Sequence, residues 1–326
     1  MPLSYAQTGV YFECLKNPET TLYNIPTKIG FPKDTDATAI IDAIKVLVKA
    51  HPQMTVHFGN GEEGIVQTVD LEQAVEIPVK QMSEQELASY KHDFVRPFDL
   101  ATGPLYRFEI ITTETQTYLM MDVHHLIFDG GSVDIFLQQL CSVLDGFAIE
   151  DEDQSYAAYV TAEQAAESGE EYTKAQDFFK ERLAVVEAAT EVRPDLPNPT
   201  KGTISKAISA LDIKTIDVFC RNNNITPAHL ILSAIYYSLS RFANSEQVCI
   251  TTVSNGRSNL LIRNTVGMFV NTLALGATID KLYLSRQSVV SGNLCKGIVL
   301  VAQRLVEVFA HLLQEHFYAL FVYHST

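Results

Sequence analysis

Basic residues are scarce in this chain: 24 Lys and Arg stand against 39 Asp and Glu, a formal charge of −15. A field of that sign repels polyphosphate and anionic lipid, so nucleic acid and membrane surfaces are not expected partners. Cysteine is sparse too. The five present, Cys14, Cys141, Cys220, Cys249 and Cys295, are odd in number, far apart and never spaced C-x-x-C. That pattern suggests neither a disulfide framework nor a zinc site, and reduced thiols in a cytoplasm fit it best. Long apolar runs are missing. The nearest to one, 298–323, is broken by Gln303, Arg304, Glu307, His311, Gln314, Glu315 and His316, and it reads as a soluble helix rather than a bilayer span. The opening Met1-Pro2-Leu3-Ser4-Tyr5-Ala6-Gln7 has no basic region or apolar core, so no secretory signal is expected. Tryptophan is absent altogether, and no repeat at a solenoid period is visible.

Apolar material is ample: 47% of 326 residues are hydrophobic and 10% aromatic, enough for one large globular unit or two lobes of ordinary size. Helix and strand interleave in the first third. Helical spacing behind an Asp36 cap predicts a helix over 36–51, and Ser83 with Glu86 predicts a capping box opening a helix over 83–94. Short strands are expected at 54–58 and 75–77. The stretches 105–112 and 117–125, rich in β-branched and aromatic residues and joined by the polar turn 113–116, predict a hairpin. Its second strand hardly alternates, which predicts burial on both faces. Ser132 is a candidate cap for a helix over 133–144. An acidic, Ala-rich stretch, 150–183, predicts one exposed helix, and the proline-rich 193–202 predicts a linker. Beyond it the pattern predicts strands at 203–211, 248–253 and 269–277 and helices over 213–222 and 227–243.

One dense polar cluster stands on apolar ground: Asp122-Val-His124-His125-Leu-Ile-Phe-Asp129-Gly130-Gly131-Ser132. Adjacent strand residues face opposite ways, so His124 and His125 must have different jobs. Histidine is the side chain best suited to move a proton near neutral pH, and an Asp four residues on can orient a ring or brace the loop. The glycines let backbone pass close to a ligand or take positive φ. The bland alternative is a pair of locally bonded core histidines beside an ordinary turn. A metal site is not expected, because adjacent strand residues diverge and no further ligand cluster is evident.

These residues carry a family resemblance. HHLIFDGG resembles the HHxxxDG signature of nonribosomal peptide synthetase condensation domains, within the chloramphenicol-acetyltransferase-like acyltransferases. LSYAQTGVYF at 3–12, FDLATGPLYRFEI at 98–110, SYAAYV at 155–160 and NGRSNLLIRNTVGMFVNTLAL at 255–275 resemble further motifs in family order. The resemblance implies an α/β fold of the α+β type, with two acyltransferase-like lobes and a tunnel between them. It implies an N-terminal lobe over 1–192, the linker 193–202, a partial C-terminal lobe over 203–281 and an atypical tail, 282–326. It also implies amide-bond formation between acyl or peptidyl and aminoacyl thioesters carried on phosphopantetheine. The partners implied are donor and acceptor peptidyl carrier proteins and an adenylation domain of the same synthetase; no cofactor is expected on the domain itself. His125 would orient the amine and take its proton, with Gly130 leaving room, while His124 and Asp129 would brace. Arg257 is the candidate partner of Asp129, and Gly131, Asn271 and Thr272 would shape the tunnel.

Two departures from the family pattern matter. Thr55 stands where an Arg able to brace Asp129 is expected. The tail carries Arg286, Lys296 and Arg304 against only Glu307 and Glu315 and matches no family element by eye, so an incomplete second lobe is expected. A stand-alone acyltransferase using CoA or one carrier-bound donor, and an inactive carrier-docking fragment, are the alternatives. An epimerisation domain is disfavoured, since Val133-Asp134 follows Ser132 where Trp-Arg would be expected.

Overall fold

The computed structural model describes residues 1–62, 64–184, 190–192, 210–257 and 259–279. The linker 193–202, the tail 282–326 and most of the strand expected at 203–211 lie outside them. The described chain mixes helix and strand, and its contacts divide it into two units: Met1–Thr173 with Val253–Thr272, and Lys174–Thr252 with Leu273–Thr326. The segment 253–272, which the sequence reading grouped with the later lobe, thus belongs with the first unit, because Arg257, Gly267 and Phe269 are bonded to Asp129 and Ser132.

The first unit is built on a four-stranded sheet. It comprises β1 (Asn24–Pro32), β4 (Val79–Gln81), β5 (Tyr106–Thr112) and β6 (Gln116–His124) in the order β1-β6-β5-β4, with β4 parallel to β5 and the other pairs antiparallel. A hairpin β2 (Val56–Gly61) and β3 (Gly64–Val69) stands apart from it. β6 is central, and every residue from Thr117 to His124 is buried. Its odd positions Leu119, Met121 and Val123 share a core with Phe108 and Ile110 of β5. Two helices complete that core: α2 (Ala37–Ala50), buried at Ile40, Ala43, Ile44, Leu47 and Val48, and α4 (Gly130–Leu144), buried at Phe136 and Leu140. The even positions Tyr118 and Met120 face Leu87 and Phe94 of α3 (Glu84–Phe94). Burial on both faces is why the strand reads as one apolar run.

Phe136 is fully buried, stacks on Phe108 at 5.9 Å and meets Phe128 edge-on at 6.1 Å. Phe136→Ala is expected to cost about 3 to 5 kcal/mol in urea unfolding; a loss below about 1 kcal/mol would show that the site collapses around the cavity.

The helix caps follow the local code. Asp36 accepts from the Thr38 amide at 2.8 Å, and Ser83 and Glu86 bond reciprocally. Elsewhere the structure corrects the sequence expectations. The expected strand 54–58 begins with a 3-10 turn, Pro52–Thr55, and the strand expected at 75–77 is displaced to β4, where edge pairing with β5 is available. The single helix expected over 150–183 is two, α5 (Tyr156–Ala166) and α6 (Glu170–Leu183). It is not wholly exposed either, since Tyr156 and Val160 pack with Ile262 and Phe269. The second unit holds α7 (Ala210–Asn222), α8 (Pro227–Phe242) and most of a two-stranded sheet of β7 (Gln247–Ser254) and β8 (Asn271–Thr278). Thr226 caps α8, and the Tyr236 hydroxyl donates to the Leu275 carbonyl at 2.9 Å.

Candidate active site

β6 ends at His124, one residue earlier than its pattern suggests, and His125 opens a 3-10 turn, His125–Ile127. The two histidines therefore part company at a change of backbone geometry as well as by alternation. His124 closes the strand on the same face as Tyr118, Met120 and Asp122. Its Nδ1 accepts the Leu126 amide at 3.1 Å, which leaves the ring proton on Nε2, 3.6 Å from Cys14 Sγ. The ring is 3% exposed. Burial, then the neighbouring His125 and Arg107, push its pKa down to about 3, so it is neutral at working pH. Burial, followed by Glu13, raises the Cys14 thiol to about 11 and keeps it protonated. On this side His124 and Cys14 line a cavity of about 350 Å³ with Tyr11, Phe58, Phe98 and Leu100.

A histidine whose folded pKa lies below its ordinary value opposes folding as acid charges the unfolded chain. His124 therefore leaves stability intact above about pH 6.5, and its share is lost as pH falls toward 3, by about 1.4 kcal/mol per unit. His124→Asn is expected to flatten that part of the pH dependence of urea unfolding; an unchanged acid slope would mean that His124 does not titrate so low.

His125 is differently placed. Its backbone amide donates to the Tyr23 carbonyl at 2.8 Å, its side chain is half-buried, and its Nδ1 is buried with no partner among the described residues. The turn that carries it is held from behind by Gln7, from the N-terminal motif, whose Nε2 donates to the Leu126 carbonyl at 2.7 Å. Gln7 sits on α1 (Tyr5–Lys16), where Ser4 accepts from the Gln7 amide and the Gln7 side chain accepts from the Ser4 amide.

Asp129, not Ser132, caps α4. Its extended backbone and short carboxylate suit the cap, and its Oδ1 accepts the Ser132 amide at 2.7 Å, so the helix starts at Gly130. The same Oδ1 accepts from Arg257 Nη2 at 2.9 Å, and Oδ2 accepts the Phe269 amide at 3.0 Å. Arg257 also donates through Nη1 to the Ile262 and Thr265 carbonyls and through Nη2 to Ser132 Oγ, and it lies over the Phe269 ring. Both partners lie in the first unit. Gly131 is where Arg257 passes, since a Cβ there would sit 2.5 Å from its Nε. Above Gly130 no atom lies within 4 Å of a built Cβ. Asn271 donates to the Phe269 carbonyl at 3.1 Å, and Thr272 is exposed. Thr55, which stands where the resemblance leads one to expect an Arg, donates its hydroxyl to the Pro52 carbonyl.

Sequence reasoning did not single out Cys14, Tyr23, Phe98, Arg107 or Tyr156. Phe98 and Arg107 had a signal in FDLATGPLYRFEI and Tyr156 in SYAAYV; the Tyr156 hydroxyl donates to the Met268 carbonyl at 2.8 Å. No group of three or more metal-ligating side chains occurs among the described residues, and none of their helices is long and apolar enough to cross a membrane.

The central strand of the mixed sheet thus brings one buried, neutral histidine and one half-buried histidine beside a helix capped by a braced Asp. A family described as "Condensation domain" matches residues 1–311, a span that reaches into 282–326. Bacitracin synthase 1 of Bacillus licheniformis is 26% identical over 279 residues, 84% of this chain but 5% of that protein. The condensation domain of the Monacolin K polyketide synthase superposes with a TM-score of 0.75 at 16% identity, over 96% of this chain and 73% of that one. A four-domain nonribosomal peptide synthetase bound to AMP and glycine gives 0.72 at 20%, over 95% of this chain and 24% of that one. The chain belongs to the condensation domain family, and it spans a small fraction of the length of the curated relatives it matches.

Proposed function

We propose that this chain forms an amide bond between an acyl or peptidyl thioester and the α-amine of an aminoacyl thioester, each delivered on the phosphopantetheine arm of a carrier protein. The observation that carries this reading is the division of labour at 124–125. His124 has both ring nitrogens engaged and is neutral, whereas His125 has a half-buried ring whose buried Nδ1 has no partner among the described residues.

The amine nitrogen attacks the donor carbonyl and a C–N bond forms. As the tetrahedral intermediate develops, His125 accepts the ammonium proton. Collapse breaks the C–S bond, and the proton passes to the departing thiolate. Little basicity is needed. A free α-amine has a pKa of about 7.7 to 8.0, so roughly a tenth is neutral at pH 7, and prior deprotonation would save only about 1.4 kcal/mol. Positioning two tethered reactants contributes about 7 kcal/mol or more, and general-base help about 10² to 10⁴ in rate. His125 thus acts first by orienting the amine. Gly130, with open space above it, leaves room for the reacting groups, while Asp129, Arg257 and Gly131 hold the frame and Asn271 and Thr272 border it.

The partners are then donor and acceptor carrier domains and an adenylation domain of the same synthetase, acting in the cytoplasm. A single-turnover assay with two loaded carrier proteins tests the reading. Amide product appearing only when both carriers are loaded supports it. Turnover with acyl-CoA and a free amine alone would favour a stand-alone acyltransferase, and no product with any donor a docking fragment.

A further inference from the structure

Beside the histidine pair lies a buried ion pair that the chemistry above does not use. Asp122 is fully buried, two residues before His124 and hence on the same face of β6. Its Oδ2 accepts from Arg107 Nη1 at 2.5 Å and from Asn24 Nδ2 at 2.8 Å. Arg107 is the register partner of Asp122 across the β5–β6 ladder. Its guanidinium reaches further, donating to the Arg96 carbonyl at 2.7 Å and the Pro97 carbonyl at 3.1 Å, with Cζ 3.6 Å from the centroid of the Phe98 ring. Phe98 in turn stands perpendicular to the His124 ring, centroids 5.9 Å apart. A buried ion pair is a poor source of net stability, because desolvation of both charges offsets their attraction. Here the bonds of the planar fork other than the one to Asp122 fix the segment entering the hairpin. Lysine has neither the fork nor the stacking face.

We infer that Arg107 is a positioning residue for the histidine pair: anchored on Asp122, it clamps residues 96–98 and presses Phe98 against His124, which holds the turn carrying His125. The inference rests on His125 being the reacting histidine. Its consequence is a contribution to rate at saturation rather than to carrier binding, since neither Arg107 nor Phe98 is among the groups assigned to substrate.

The test uses the full chain in the two-carrier single-turnover assay, well below each variant's melting temperature, with His125→Ala run alongside. Arg107→Met and Phe98→Leu are each expected to lower the saturating rate about 10- to 100-fold, the scale of a displacement near 1 Å, with the half-saturating carrier concentration unchanged. Combined, they should lose no more than the worse single variant, and Arg107→Lys should recover little. Nitrogen-15 NMR of the His124 ring should show its single Nε2–H form in the wild type and a mixture of tautomers in both variants. A folded Arg107→Met within twofold of wild type, or additive losses with Phe98→Leu, would overturn the clamp. Should Arg107→Met fail to fold, Phe98→Leu, which removes no charge, decides by the same rate and tautomer readouts. If instead His125→Ala is as active as wild type, the reacting-histidine assignment falls, and the tautomer readout still reports whether Arg107 orders His124.

Discussion

His125→Ala is expected to leave melting nearly unchanged and to lower single-turnover amide formation by orders of magnitude. The ring is half-buried, makes no side-chain hydrogen bond among the described residues, and its backbone bond to Tyr23 survives the substitution. Truncation therefore opens no fully enclosed cavity and orphans no partner. On the proposed mechanism what is lost is the group that orients the amine and takes its proton, worth about 10² to 10⁴ for the proton transfer alone and more if the amine loses its alignment. His124→Ala should behave the other way, with a lowered melting temperature, because it leaves the Leu126 amide without its acceptor and opens space beside Cys14. Equal activity of wild type and His125→Ala would remove the catalytic assignment.

The second large effect concerns Asp129 and Arg257. Asp129 is fully buried and the Arg257 side chain is 10% exposed, so removing either strands the other charge away from water. Each single alanine variant is expected to cost about 3 to 5 kcal/mol in equilibrium unfolding, and the double variant distinctly less than the two losses together. Asp129→Ala should be the worse, since it also uncaps α4 and frees the Phe269 amide. Gly131→Ala offers an orthogonal check. Its added methyl must push Arg257 aside, and a loss of about 1 to 3 kcal/mol should vanish when Arg257 is already alanine. Strictly additive losses for Asp129 and Arg257 would mean that the pair does not brace the site.

Part of the arrangement behind both expectations is legible in the sequence. HHLIFDGG on the end of an apolar strand pointed to two histidines with different duties, and the periodicity of 36–51, 83–94 and 227–243 placed three helices within about a residue of their observed ends. Such features are local. A cap, a 3.6-residue stripe or a hairpin turn is decided by neighbours within a few positions, so the residues themselves carry the signal.

Everything that required distant parts of the chain to meet was decided only by the fold. Arg257 reaches Asp129 across 128 positions; the resemblance of 255–275 to a family motif names it as the candidate partner, but no local pattern near either residue gives the contact or its further bonds to Ser132 and the Ile262 and Thr265 carbonyls. The cap of α4 moved from Ser132 to Asp129 because the latter's carboxylate serves the helix, Arg257 and the Phe269 amide at once, a bargain visible only when all three are assembled. β4 formed at 79–81 rather than 75–77 because that is where β5 offers an unpaired edge. His124 became the fully buried histidine, and His125 the half-buried one, because the strand ends between them, with Leu126, Cys14 and Phe98 closing around the first. Local pattern sets what each segment prefers. Burial and long-range pairing set which of two identical side chains is enclosed and which stays half-buried.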